Sequence, residues 1–344
     1  MRVPRAVALL VVVVFSGCNA TPAATTAPSA VGQASEPAAS ASPFVGSKVL
    51  ALSGGDHALG NIPTMVARDE LNSEGFSISL PVVKDVSLSI DGMSRGEFQM
   101  GYGAVNAYMT AIQKGANIRI VSEAIGDEWQ FYSTAAITDC SQLNGKKLAI
   151  SSQGGVSTAL TKAWIDQTCP GTQPTYLVIS NSADRQLALL SGQIDASPLQ
   201  IQDGLALIAK GGAKFHQLAD FHKMLPDITT TVLAVDENWA KANPSVLEAL
   251  LVANLKAVRQ IISDPTYMQD QVDKYKGELS GTYDPSVVQV YRGQWDPNGG
   301  ITETGFQKTI DFFTGSGAIQ PGLTVDQVLD LSYLNAALDQ VGRQ

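Results

Sequence analysis

Cysteine, histidine and positive charge are all scarce in this chain. Its 344 residues include three cysteines, three histidines, and 23 lysines and arginines against 32 acids, a formal charge of −9. Setting aside the first seventeen residues, which hold Arg2 and Arg5 and no acid, makes the body more negative still. Binding to phosphate backbones relies on clustered Lys and Arg, so nucleic acid is excluded as a partner. His57, His216 and His222 form no clustered metal-ligand set. No glycine-rich loop ends in Gly-Lys-Ser or Gly-Lys-Thr, and Gly101-x-Gly103 has Asn106 where a dinucleotide fingerprint needs its third glycine. Ser157 follows Gly155-Val156 without a glycine two residues on, so the nucleophile-elbow pattern fails as well. Nothing in the sequence asks for a cofactor.

Long hydrophobic runs are absent save one. Residues 6–15 are unbroken apolar, behind Arg2 and Arg5, a signal-peptide length too short to span a bilayer comfortably. Phe15-Ser16-Gly17-Cys18 follows and resembles the lipobox of bacterial lipoproteins, with Phe15 where Leu is usual. The resemblance implies a signal peptide over 1–17 and lipidation of Cys18. The protein is then exported and held by lipid on the outer face of the cell membrane or the periplasmic face. Residues 19–43 are almost wholly Ala, Thr, Ser and Pro with a few polar residues. They cannot bury enough apolar surface to fold and read as a tether spanning roughly 30 Å.

Cys140 and Cys169 are the two cysteines left over. An exported chain matures in an oxidising space, where such a pair is expected to join. Residues 147–151 read as a strand and 155–167 as the helix after it. That helix runs back antiparallel and returns Cys169 to the level at which Cys140 precedes the strand. Loop entropy puts the bridge at about 3.5 kcal/mol. Metal binding is the competing reading, and no His lies near either cysteine.

From Lys48 onward, short apolar strands alternate with amphipathic helices, the pattern of an α/β fold with mostly parallel sheets. Strands are expected at 48–52, 77–83, 98–101, 118–125 and 230–235. Helices are expected at 63–72, 105–114, 244–262, 265–276, 285–292, 304–313 and 325–338. Pro63, Pro244, Pro265 and Pro285 each suit a first helical turn. The chain also repeats itself. Arg95-Gly96-Glu97-Phe98-Gln99-Met100 matches Ser191-Gly192-Gln193-Ile194-Asp195-Ala196, and a Lys-Gly pair stands eighteen residues after each of those glycines. Lys48-Val49-Leu50-Ala51-Leu52-Ser53-Gly54-Gly55 pairs loosely with Lys147-Leu148-Ala149-Ile150-Ser151-Ser152-Gln153-Gly154. Two units of one pattern imply two similar lobes.

Two stretches carry a more specific likeness: Cys140-Ser141-Gln142-Leu143-Asn144-Gly145-Lys146-Lys147-Leu148-Ala149-Ile150, and Leu187-Ala188-Leu189-Leu190-Ser191-Gly192-Gln193-Ile194-Asp195-Ala196. They resemble the solute-binding proteins of ABC importers that take sulfonates, taurine, nitrate and thiamine pyrimidines. The resemblance implies a two-lobed type II periplasmic-binding-protein fold whose chain crosses between lobes twice and whose C-terminal helices return to the first lobe. Carried over, lobe one is 44–131 with 230–344 and lobe two is 132–229, with crossings near 129–133 and 228–231. It also implies a monomer that captures a small molecule and delivers it to an ABC permease and its ATPase. The thiamine-pyrimidine synthases share this fold, but their cysteine-rich motif has no counterpart here. A lipoprotein that senses a ligand for a membrane receptor would present the same fold and pocket.

Ligands of open α/β sheets collect at the carboxyl ends of strands. Three loops there are rich in small polar residues: Ser53-Gly54-Gly55-Asp56-His57, Gly101-Tyr102-Gly103-Ala104-Val105-Asn106 and Ser152-Gln153-Gly154-Gly155-Val156-Ser157. Glycines let backbone N–H groups approach a ligand, and helix N-termini favour negative charge. Tight turns use such glycines too. The expected ligand contacts are Ser53, Gly54, Gly55, His57, Tyr102 and Asn106 from one lobe, and Ser152, Gln153, Gly154, Gly155 and Ser197 from the other. Trp129, at the first crossing, either stacks on a planar ligand or packs the lobe interface.

Overall fold

The alternation of strands and helices resolves, in a computed structural model describing residues 48–344 apart from Thr282, into two five-stranded sheets. The signal peptide, Cys18 and the tether lie outside the described residues. The strands are β1 (Val49–Ser53), β2 (Ser77–Ser79), β3 (Met100–Ala104), β4 (Ile118–Ile125), β5 (Trp129–Thr134), β6 (Lys147–Ile150), β7 (Thr175–Val178), β8 (Ala196–Gln200), β9 (Phe215–Asp220) and β10 (Thr231–Asp236). The first sheet has the order β2-β1-β3-β10-β4 and the second β7-β6-β8-β5-β9. Four strands of each sheet run one way; β10 in the first and β5 in the second run against them.

The helices are α1 (Ile62–Ser73), α2 (Val86–Ser94), α3 (Val105–Gln113), α4 (Val156–Thr168), α5 (Ser182–Leu190), α6 (Ile201–Gly211), α7 (Phe221–Met224) and α8 (Glu237–Ala242). The tail adds α9 (Pro244–Ser263), α10 (Tyr267–Tyr275), α11 (Pro285–Tyr291), α12 (Glu303–Gly315), α13 (Val325–Val328) and α14 (Ser332–Val341). No helix of the described residues is long and apolar enough to cross a membrane.

The sequence repeat is a repeat of backbone geometry. Gly96 and Gly192 follow α2 and α5 with φ of 74° and 73°, a left-handed turn that glycine takes without steric cost. Their N–H groups donate to Met93 O and Leu189 O, both at 3.0 Å. The next residues, Glu97 and Gln193, donate to Gly92 O and Ala188 O, both at 2.9 Å. Gln99 and Asp195 then do the same task in the two sheets. Gln99 Oε1 accepts from Ala51 N at 2.7 Å, and Asp195 Oδ2 accepts from Lys147 N at 2.8 Å. One acceptor side chain in each repeat thus holds a strand of its sheet, β1 in the first and β6 in the second.

Three elements differ from the sequence expectation. The strand expected over 77–83 stops at Ser79, because Pro81 has no N–H to donate, although Val82 still forms a bridge with Gly54. Helix α2 carries glycine and three serines and has little intrinsic propensity; Asp85 starts it by accepting from Ser87 N at 2.7 Å. The single helix expected over 325–338 is two. Leu329 bridges to Ile120, Asp330 N donates to Ile120 O at 3.0 Å, and Asp330 Oδ1 accepts from Ser332 N to open α14.

Packing follows the strand faces. Leu50 and Leu52 of β1, Ala67 and Leu71 of α1, Leu247, Leu250 and Leu251 of α9, and Leu334 and Leu338 of α14 form one buried cluster. The helix-rich tail therefore covers the first sheet. Each fully buried Leu contributes about 1.5–3 kcal/mol. In the second sheet, Ala149, Leu199 and Tyr132 pack against Leu189 of α5 and Leu207 of α6. Cys140 and Cys169 are joined, with Cα atoms 6.0 Å apart, tying the turn before β6 to the end of α4.

Candidate functional site

The chain passes from the first sheet to the second through Gly126–Glu128, and back through 221–230. Residues 129–133, where the first crossing was expected, are paired in β5 of the second sheet. At the carboxyl end of β3, α3 begins with no side-chain cap, and Val105 N donates to Thr230 O at 3.0 Å. At the carboxyl end of β6, α4 begins after Gly155, again without a side-chain cap. Asn106, at the start of α3, donates its Nδ2 to Gly154 O, and its Oδ1 is buried without a partner. That bond brings the N-termini of α3 and α4, neither capped by a side chain, to opposite sides of one contact, and the N-terminus of a helix favours an anion.

The other expected residues divide into two groups. Gly55, Ser152, Gln153 and Gly154 are exposed on the loops, and a Cβ at Gly55 or Gly154 would meet nothing within 4 Å. Gln153 Oε1 accepts from Lys162 Nζ at 3.2 Å. Gly155 is tighter, its missing Cβ leaving room for the Ser151 hydroxyl. The second group turns inward. Ser53 is fully buried and its hydroxyl lies 2.5 Å from Ser89 Oγ; Ser197 is fully buried and donates to Ala149 O at 3.2 Å. Gly54 lets Tyr102 lie against it, a Cβ there standing 3.3 Å from Tyr102 Cβ. The Tyr102 hydroxyl reaches in toward Gly60, and burial pushes its phenol well above the usual value. His57 Nε2 is 3.2 Å from Leu80 O, while its own carbonyl accepts from Ser280 N at 2.8 Å.

Trp129 opens β5, its N–H donating to Asp127 Oδ1 at 2.9 Å. Its ring lies 5.6 Å from the Arg185 guanidinium, and its Nε1–H is buried without a partner. Sequence reasoning missed Arg185. It is fully buried on α5, donating Nε to Pro198 O and Nη1 to Ile179 O and Ser180 O, with Nη2 left over. Burial draws its guanidinium down to about 10. The signal was present: Arg185 shares the buried stripe of α5 with Ser182, Gln186 and Leu189 at helical spacing. A charged residue on an apolar stripe marks a polar task. Glu128, which the sequence suggests either for a cationic or hydroxyl group or for a solvated acidic loop, is buried; it accepts from Gln200 Nε2 at 2.7 Å and Tyr291 OH at 2.8 Å, bracing the first crossing against β8 and α11.

Residues 48–267 match the model of a protein family described as NMT1/THI5 like. The chain belongs to the NMT1/THI5-like family. Its matched segment holds both sheets and every residue expected at the ligand. Comparison with curated proteins returns no match. Among solved structures, the chain is similar to a ligand-binding component of an ABC-type import system from Staphylococcus aureus, solved with zinc bound. Identity there is 16% and the TM-score 0.69, over 84% of this chain and 98% of that one. The periplasmic nitrate-binding protein NrtA of Synechocystis gives 13% identity and a TM-score of 0.68, over 86% and 89%. The periplasmic aliphatic sulphonate binding protein SsuA of Escherichia coli gives 16% and 0.63, over 82% and 92%. At these identities the likeness is one of fold.

Proposed function

We propose that this protein is an extracytoplasmic solute-binding lipoprotein. It captures a small organic anion between two lobes and delivers it to the permease and ATPase of an ABC importer. The observation that carries the reading is the Asn106–Gly154 contact, which sets two helix N-termini without side-chain caps against each other across two sheets of identical strand order. Family membership and the shared fold of import-system binding proteins support it. On this reading the lobes are 48–125 with 231–344, and 129–220, the crossings lying between.

The proposed ligand surface joins the loop of Gly54, Gly55 and His57 with Tyr102 and Asn106 on one side. Ser152, Gln153, Gly154 and Gly155 stand on the other, and Trp129 backed by Arg185 lies at the crossing. Ser53 and Ser197 shape it from beneath. A ligand drives closure only through contacts that are better in the closed state, so it must touch both lobes. Transport then needs no chemistry from this chain. Lipidation at Cys18 would hold it at the membrane as a monomer beside its permease.

The test is a thermal-shift and scattering screen of the purified protein with sulfonates, nitrate and thiamine pyrimidines. A ligand at 100 times its Kd should stabilise by about 2.7 kcal/mol and compact the molecule. Trp129→Phe should weaken that ligand about tenfold while leaving the fold intact, and Cys18→Ser should release the protein from membranes. A ligand that binds without any change in shape would refute the closure mechanism.

A further inference from the structure

A cavity of about 340 Å³ lies at the two crossings, walled by the first crossing, the segment 222–229 and residues of the tail between Gly293 and Phe306. None of the residues expected at the solute lines it. Its charged side chains are all acids, and His222, Thr229, Trp295 and Thr302 are among its other polar groups. Glu123, Asp127, Asp227 and Asp296 line it, and no lysine or arginine does. Asp227 is paired outward with Lys308 at 2.6 Å. The others have no such partner. Asp127 is 3% exposed, and its Oδ2 makes no hydrogen bond. The Gln294 side-chain oxygen Oε1, on a residue that also lines the cavity, is buried and unpaired as well. Glu123 rests its carboxylate where a Cβ of Gly300 would stand, 2.0 Å from Oε2, and among the described residues it joins no ion pair.

A buried carboxyl oxygen without a hydrogen-bond partner is costly unless a donor or a cation meets it. Burial, with Asp296 and Asp127 close by, pushes Glu123 up to about 8, and burial also raises Asp127. We propose that this cavity is a second binding site, taking a small organic cation whose ammonium or guanidinium group is held by Asp127, Glu123 and the side-chain oxygen of Gln294. A bare metal ion fits less well. Among the described residues, only Asp139, Cys140 and Cys169 bring three ligand-type side chains within reach of one ion, and those cysteines are in the disulfide. The volume exceeds that of a single ion, and Leu225, Ile228 and Phe306 offer an apolar wall for a short carbon chain. Charge-assisted N–H···O bonds would satisfy the orphaned oxygens directly.

This site does not depend on the solute reading. Its test is isothermal titration calorimetry on the full-length protein in detergent, with agmatine and butylammonium as probes, and butanol, Ca²⁺ and Zn²⁺ as separate arms. Agmatine or butylammonium should give saturable binding, and butanol none. Asp127→Asn, which keeps the acceptor for Trp129 N and removes the charge, should weaken that binding at least tenfold with no fall in thermal midpoint. Gly293→Leu should do the same by filling the cavity, since a Cβ there meets nothing within 4 Å. Silence with both amines would overturn the proposal. So would amine affinity that neither variant changes, or binding of Ca²⁺ or Zn²⁺ alone.

Discussion

Asn106 at the start of α3 gives its amide N–H to the carbonyl of Gly154, in the loop between β6 and α4, so a residue of the first sheet's flank holds a backbone group of the second's. The contact favours the closed arrangement of the two sheets without any ligand. Asn106→Ala should remove about 1 kcal/mol of that preference. The expected result is a larger radius of gyration for the ligand-free protein by small-angle scattering. An unchanged radius would mean that other contacts set the closure.

The disulfide closes a loop of 29 residues that contains β6 and α4. Cys140→Ser with Cys169→Ser should cost about 2–4 kcal/mol in urea unfolding. Thiol counting under denaturing, non-reducing conditions should find neither of these cysteines free.

Stability should fall as pH rises from about 4.5 to about 8. Glu123 has its folded value raised from 4.5 to about 8, so the folded state holds more protons than the unfolded state across that window. Asp127 and Glu128, both raised mainly by burial, act in the same direction. Carboxyls held low, such as Asp69 between Lys274, Tyr275 and Arg68, contribute in the opposite sense and only at lower pH. Thermal midpoints measured across pH 5–8 should decline for the wild type. Glu123→Gln should flatten the decline, and an equal slope in both proteins would count against this assignment.

Gly96→Ala and Gly192→Ala should each cost about 1–2 kcal/mol, because each forces an L side chain into the left-handed region. The two costs should agree closely, since the turns share φ and hydrogen bonds. A large difference in denaturant midpoints would show that the turns are not energetic equivalents.

These glycine turns explain why so much of the fold was legible. Gly96 and Gly192, the prolines at the starts of α9 and α11, and the apolar run of β4 each determine local backbone by themselves. What was hidden depends on distant partners. Asp330 breaks the last helix because Ile120, more than two hundred residues earlier, offers a carbonyl. The site divides the same way. Gly55 and Gly154 stand out by composition, whereas nothing local says that the Ser53 and Ser197 hydroxyls turn into their own sheets. Arg185 was readable in principle from the periodicity of α5, but its tryptophan neighbour comes from β5.

β10 sits between β3 and β4, yet it is made after every strand of the second sheet. A ribosome that has released residues through Asp220 has supplied the second sheet in full. The first sheet at that moment lacks the strand between β3 and β4, whose edges are open. The inserted half can therefore mature first, while the half that begins the chain must wait for its end. A chain stalled before Thr231 therefore presents two unpaired strand edges to any quality-control protease.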